Sequence, residues 1–349
     1  MSAVLAALRR PVIAAPMGGG PSTPHLVHAV GAAGGLGFLA GGYLTPARFA
    51  EDVDRVRGLG PEPYGVNLFV PSPALADDSA VRAYAARLEP EARRLGVHAG
   101  EPVFDDDAYD QKLAVLGERP PAVVSFAFGL PDARTVRALR SRGSEVWVTV
   151  TDPGSAVDAA GLGVDALVVQ GVEAGAHRGG VDDTDELALL PLLRLVGART
   201  PLPLVASGGI VDGAGLAAAL VAGASAAQLG TAFLRCPEAG TAAVHREAIV
   251  TRTPTELTRA FTGRRARAIV NRFLREHEDA PVGYPAVHHV TSPLRAAARA
   301  AHDTDAVNLW AGQTHELARE LPAAEVVEQL LTEARAAAEE LATRAATWA

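Results

Sequence analysis

Short apolar runs and longer amphipathic stretches alternate along the first two-thirds of the chain. Residues 11–15 (PVIAA), 35–40, 64–70, 122–126, 145–150, 166–170, 202–206 and 226–229 are compact runs dominated by aliphatic side chains. Most lack the polar alternation of a half-exposed strand, which suits strands covered on both faces. Helical patterns fill the gaps. Residues 24–33 have Thr23 as cap and Pro24 in the first turn, and residues 46–57 are capped by Thr45. Further helices are expected at 132–142, 154–162, 185–196 and 212–222. Eight strand–helix alternations in about 230 residues predict an α/β fold, a (β/α)8 TIM barrel rather than an open doubly wound sheet.

Two stretches depart from this rhythm. Residues 71–118 are too long for a normal crossover, open Pro-rich and show helical patterns at 79–95 and 106–116, so an insertion at the barrel rim is expected. From about 235 the periodicity changes: residues 235–273 are Thr- and Arg-rich with helical spacing, and 284–295 read as irregular. Residues 323–347 form a strong Ala/Glu/Leu helix. The expected organisation is a barrel over 1–234, a smaller helical cap over its mouth at 235–322, and a final helix at 323–349 returning to the barrel wall.

Composition narrows the chemistry. Of 349 residues, 48% are hydrophobic but only 5% aromatic, so small side chains must pack the core. No apolar run approaches the roughly 18 residues that span a bilayer, and a signal-peptide pattern is absent, so no membrane partner is expected. The lone cysteine, Cys236, excludes an internal disulfide framework and suits a cytoplasmic setting. A net charge of −8 gives no reason to expect nucleic acid as partner. Lys112 is the only lysine and lies in a polar helical segment, where solvation is expected; Schiff-base chemistry, which needs a buried lysine, is thereby set aside.

The candidate chemistry lies where predicted strands end. The run 166–170 leads directly into Gln170–Gly180 (QGVEAGAHRGG), whose glycines permit close backbone approach to a ligand and whose His177 stands in a catalytic setting. Alone, such a loop is equally a solvent-exposed connection. Two more loops of the kind follow at the seventh and eighth strands, Ser207-Gly208-Gly209 and Gly230-Thr231, with Gln228 and Leu229 leading into the second. Either is by itself a tight turn; together, at these two strands, they form the usual phosphate site of a barrel, with backbone amides facing the anion. Apolar strand ends and amides at the first, third and sixth strands then suggest flavin mononucleotide (FMN). Ala15, Pro16 and Met17 are placed along the isoalloxazine ring, and Asn67 and Gln170 hydrogen-bond its polar edge or the ribityl chain. Asn67 has the alternative of a buried amide satisfied by backbone.

The segments APMGGG (15–20), NLF (67–69), QGVEAGAHRG, ASGGI (206–210) and AQLGTAFL (227–234) resemble those of class I nitronate monooxygenases, as do GYPAVHHVTSPLR (283–295) and NLWAGQ (308–313) in the cap. The resemblance implies FMN contacts at Asn67, Gln170, Gly175, Gly209 and 228–231, with His177 as catalytic base. It implies oxidation of a small nitronate by O2 to a carbonyl compound and nitrite, by a monomer or homodimer. Ala176 replaces the family's usual glycine, and it is expected in the substrate pocket with His288 and Trp310 from the cap. Flavin-dependent enoyl-acyl-carrier-protein reductases share the glycine loops and a similarly placed histidine; a flavin-binding protein without turnover is a third reading. No histidine cluster has metal-ligand spacing, and no metal is expected. His288 and His289, adjacent in an extended segment, would point opposite ways. His25 and His28 are expected at the surface or rim. The Arg264-Arg265-Arg267 group reads as a solvated face, or as an attractor of anions to the mouth.

Overall fold

The computed structural model describes residues 2–251 and 253–348. Eight parallel strands close into a barrel: β1 (Val12–Ala14), β2 (Leu36–Ala40), β3 (Tyr64–Phe69), β4 (Val123–Ala127), β5 (Glu145–Val150), β6 (Ala166–Gln170), β8 (Leu204–Ser207) and β9 (Ala226–Leu229). The short β7 (Ala176–His177) lies outside the barrel, in the loop after β6. Pairing runs from neighbour to neighbour and closes where Ile13 meets Gln228. Each predicted barrel strand is present within two residues of its expected ends. The barrel interior holds Ile13, Phe38, Trp147, Val168 and Val205, all 1% exposed or less. Its lower end is closed by Val4, Leu5 and Leu8, on or beside a helix (Ala3–Ala7) that the sequence pattern missed because it is barely a turn long.

The two expected caps, Thr23 and Thr45, are made, and three aspartates cap further helices in the same way. Thr23, Thr45, Asp132, Asp152 and Asp212 each accept an amide hydrogen bond at the start of their helices. The helix expected from 185 begins later, at Leu189–Gly197, because the preceding residues extend the loop after β6. The final helix, Ala323–Ala345, packs on Gly213–Val221 and Pro24–Ala32. A Cβ at Gly213 would stand 2.4 Å from the backbone nitrogen of Ala334, so that contact depends on glycine.

The cap is mixed rather than helical. β10 (Thr255–Thr258) and β11 (Ala266–Ile269) form a hairpin, and β11 pairs antiparallel with β7, so Ala266 lies opposite His177. The barrel loop bearing the histidine is thereby an edge strand of the cap sheet. Residues 284–295, read as irregular, mostly belong to a helix (Ala286–Ala300) that accommodates Pro293. The rim segment supplies three helices, Ser79–Arg87, Glu89–Arg94 and Tyr109–Glu118; Val81 and Tyr84 of the first, Ala92 of the second and Leu88 between them share one apolar core with Phe261, Phe273, Val287 and Leu294.

Lys112 is fully buried, not solvated, and pairs with Asp107 at 2.8 Å. Asp107 also accepts the amide of Tyr43 (2.9 Å), tying the rim segment to the loop after β2. Arg264 and Arg267 are also buried. A guanidinium has five donors to place, and here it finds carbonyls: Arg264 donates to Arg178 O and Gly180 O, and Arg267 to Val172 O and Thr255 O. Of the three, only Arg265 reaches the surface, pairing with Glu186 (2.5 Å). His25 is exposed, and the partly buried His28 lies 3.2 Å from Glu62.

Candidate active site

The carboxyl ends of the barrel strands and the cap enclose a cavity of about 520 Å³, within the range of sites that hold a cofactor and a small substrate. Every residue expected in the site lines it: Ala15, Pro16 and Met17 after β1; Asn67 on β3; Gln170, Gly175, Ala176 and His177 on and after β6; Ser207, Gly208 and Gly209 at the end of β8 and after it; Gln228, Leu229, Gly230 and Thr231 at the end of β9 and after it; His288 and Trp310 from the cap.

The glycine loops are open to a ligand. Gly208 and Gly209 have φ of 125° and 67°, the left-handed region where a side chain is strained. The amides of Gly208, Gly209, Gly230 and Thr231 donate to no acceptor in the described chain. Residues 310–314 close this end: Gly312 N donates to Thr231 Oγ1 (3.0 Å), and Thr314 donates to Gly209 O (2.8 Å). A Cβ at Gly175 would lie 2.6 Å from Gly312 N, so the two backbones meet only over glycine.

Nearer the barrel axis the amides divide their work. Asn67 Nδ2 donates to Ser125 O and Oγ (3.2 and 3.0 Å), and its Oδ1 has no hydrogen-bond partner among the described residues. Gln228 Oε1 is buried and unpaired among the described residues. Gln170 is a brace: its Oε1 accepts from Gly179 N (2.8 Å) and Arg178 (3.2 Å), and its Nε2 donates to His177 O (3.1 Å). Free amides beside a glycine cradle, an orphaned acceptor at Gln228 and an open acceptor at Asn67 suit a phosphorylated heteroaromatic cofactor with donors and acceptors along one edge.

The substrate side is aromatic and cationic. Around His177 stand Phe128, Trp310 and Tyr284, with ring centroids 5.5, 5.5 and 5.9 Å away. His177 Nε2 lies 2.9 Å from Thr262 Oγ1. Burial, together with the charges of Arg264 and Arg295, pushes the His177 pKa down to about 3, so the ring is neutral at working pH. Its remaining accessible surface faces the cavity. His288, also lining the cavity, stacks flat on Tyr43 at 4.2 Å. It accepts from Arg295 at Nδ1 (3.1 Å), and burial first, then Arg295, lowers its pKa to about 2. It sits on a helix, not in an extended segment, and its neighbour His289 turns to Asp105 (3.3 Å). No group of His, Cys, Asp or Glu among the described residues could hold a metal ion.

Arg295 donates to Thr291 Oγ1, Ser292 Oγ and His288 O (3.0, 2.8 and 3.0 Å) and meets no carboxylate among the described residues. Arg264 lies over the Phe128 ring at 4.5 Å, likewise without a carboxylate within ion-pairing distance. Sequence reasoning missed Tyr43, Phe69, Phe128, Thr262 and Arg295. Tyr43 was within reach: it follows Gly41-Gly42 at the end of β2, the same strand-end signal used elsewhere.

The model of the family described as nitronate monooxygenase matches residues 2–333. The chain belongs to the nitronate monooxygenase family. A nitronate monooxygenase of Pseudomonas aeruginosa is 42% identical over 346 residues, covering 95% of this chain and 98% of that protein. The solved structure of a nitroalkane oxidase from Streptomyces ansochromogenes is 48% identical, with a TM-score of 0.95 over 97% of this chain and 100% of that one. FabK from Thermotoga maritima is more distant, 26% identical with a TM-score of 0.78 over 99% of both chains. Nitronate monooxygenases are flavin-dependent oxidoreductases, in keeping with the cradle. No helix among the described residues is long and apolar enough to cross a membrane.

Proposed function

We propose that this enzyme binds FMN and oxidises small alkyl nitronates with O2, yielding a carbonyl compound and nitrite. The observation that carries the reading is the charge of the cavity: Arg295, buried and without a carboxylate partner, lines it with Arg299, no Asp or Glu is among its lining residues, and its two histidines His177 and His288 are kept neutral. Such a pocket is net positive and favours an anion over a neutral molecule. A nitronate is that anion. Gly208, Gly209, Gly230 and Thr231 would hold the cofactor phosphate through backbone amides. Asn67 and Gln228 would meet the polar edge of its ring, with Ala15, Pro16 and Met17 along the ring itself. When bound, the flavin supplies the electron transfer between nitronate and O2. The chain's own part is to hold the nitronate beneath the cap, exclude bulk water with Phe128, Tyr284 and Trp310, and keep His177 at the reacting carbon.

His177 serves as base only for a neutral nitroalkane, which has an α-proton to lose. A conjugate acid with a pKa lowered to about 3 by burial makes it a weak base, which favours the already deprotonated nitronate as substrate. The barrel carries the cofactor, residues 235–322 cover the substrate, and the enzyme works in the cytoplasm on small molecules as a monomer or homodimer. The test is turnover of a short alkyl nitronate in air without added nicotinamide. Nitrite release with O2 uptake is expected, and FMN on extraction. No nitrite, or extraction of a different flavin, would contradict the reading.

A further inference from the structure

The His177 ring has one hydrogen-bond partner among the described residues. Its Nε2 lies 2.9 Å from Thr262 Oγ1, while aromatic rings surround the rest of the imidazole. Thr262 is 1% exposed, and its Oγ1 also lies 3.2 Å from Arg264 O. A hydroxyl has one proton to give and two lone pairs, whereas a carbonyl can only accept. If the proton goes to Arg264 O, a lone pair is left to receive Nε2–H, and all three groups are paired. In the reverse arrangement the hydroxyl donates to Nε2 and Arg264 O loses the only donor it has among the described residues. An unpaired buried carbonyl costs on the order of 1–3 kcal/mol. His177 Nδ1 meets no protein donor or acceptor among the described residues and is not sealed from the cavity.

We infer that Thr262 is a positioning residue: it fixes His177 as the Nε2–H tautomer and leaves the Nδ1 lone pair as the proton-accepting atom of the substrate space. The inference rests on the site read above, and it adds a division of labour. A lone pair facing the cavity can take the α-proton of a neutral nitroalkane but offers nothing to an anion. The nitronate is therefore held by the cavity-lining Arg295 rather than by the histidine. Gln170, which donates to His177 O, fixes the backbone of the same residue, so ring and main chain are anchored separately.

The tautomer can be read directly, whatever the enzyme turns over. Holoprotein with ¹⁵N-labelled histidine is compared with its Thr262→Ser and Thr262→Val variants, and the His177 signals are assigned by their loss in His177→Asn. The parent and the serine variant should show a neutral ring with the proton on Nε2. The valine variant, similar in shape but without the hydroxyl, should shift the proton partly or wholly to Nδ1. A proton on Nδ1 in the parent would overturn the inference, even if the valine variant fails to fold. So would a valine variant whose Nε2–H tautomer is unchanged.

Discussion

At the scale of single residues, Ala176 is the clearest departure from family resemblance, and its backbone shows what the departure costs. It sits at φ 62°, the left-handed region that an L-residue with a Cβ enters at a cost of about 1 kcal/mol relative to glycine. Neighbouring His177 must stay in place, so the β7–β11 pairing of Ala176 with Arg267 holds the strained conformation. Ala176→Gly should therefore stabilise the protein by up to about 1 kcal/mol, seen as a higher denaturation midpoint at unchanged m-value. Because Ala176 is among the residues lining the cavity, the same change should raise kcat/KM for a long nitronate more than for a short one. A lower midpoint would mean that the Ala176 side chain makes packing contacts worth more than the strain.

At the scale of elements, the loops after β8 and β9 bear the cofactor reading. Gly208→Asp or Gly209→Asp should abolish flavin retention, since each puts a carboxylate beside the amides proposed to hold the cofactor phosphate and also strains the backbone. Full flavin absorbance in both purified variants would place the phosphate elsewhere. These loops were legible in the sequence because barrel chemistry is local: an aliphatic run followed by glycine marks a strand end wherever it occurs. The cap was not legible in this way. The pairing of Ala266 with His177 joins residues far apart in the chain, and no periodicity announces it. Pro285 and Pro293 disguised the helix that carries His288 and Arg295. Arg264 and Arg267 read as a charged face because their partners are carbonyls such as Gly180 O and Val172 O, which every sequence contains. For the same reason Lys112 was read as solvated: its partner Asp107 lies in an acidic run that looks like surface.

At the scale of the whole molecule, three cavity-lining histidines are kept neutral. His177, His245 and His288 have pKa values lowered to about 3, 4 and 2, burial being the first cause in each. Unfolded imidazoles titrate near 6.5, so below that pH the unfolded chain binds protons that the folded one refuses, and stability falls as pH falls. Each histidine contributes up to about 1.4 kcal/mol per pH unit between roughly pH 6.5 and 4. Asp107, whose pKa is raised by burial, acts in the opposite direction at lower pH. Chemical denaturation of the holoenzyme at pH 7 and pH 5 should show a marked loss at pH 5, reduced in His245→Gln; equal stability at both would show these rings are not buried neutral. The central claim is that an electropositive, capped cavity serves an anionic nitronate and not a nicotinamide. It is tested most directly by mixing the yellow holoenzyme anaerobically with a short alkyl nitronate and, separately, with NADH and NADPH, while following flavin absorbance. Rapid loss of the oxidised-flavin band with the nitronate, and none with either nicotinamide, is the predicted result. Reduction by NADH or NADPH with no response to the nitronate would contradict the account and favour the enoyl reductase reading.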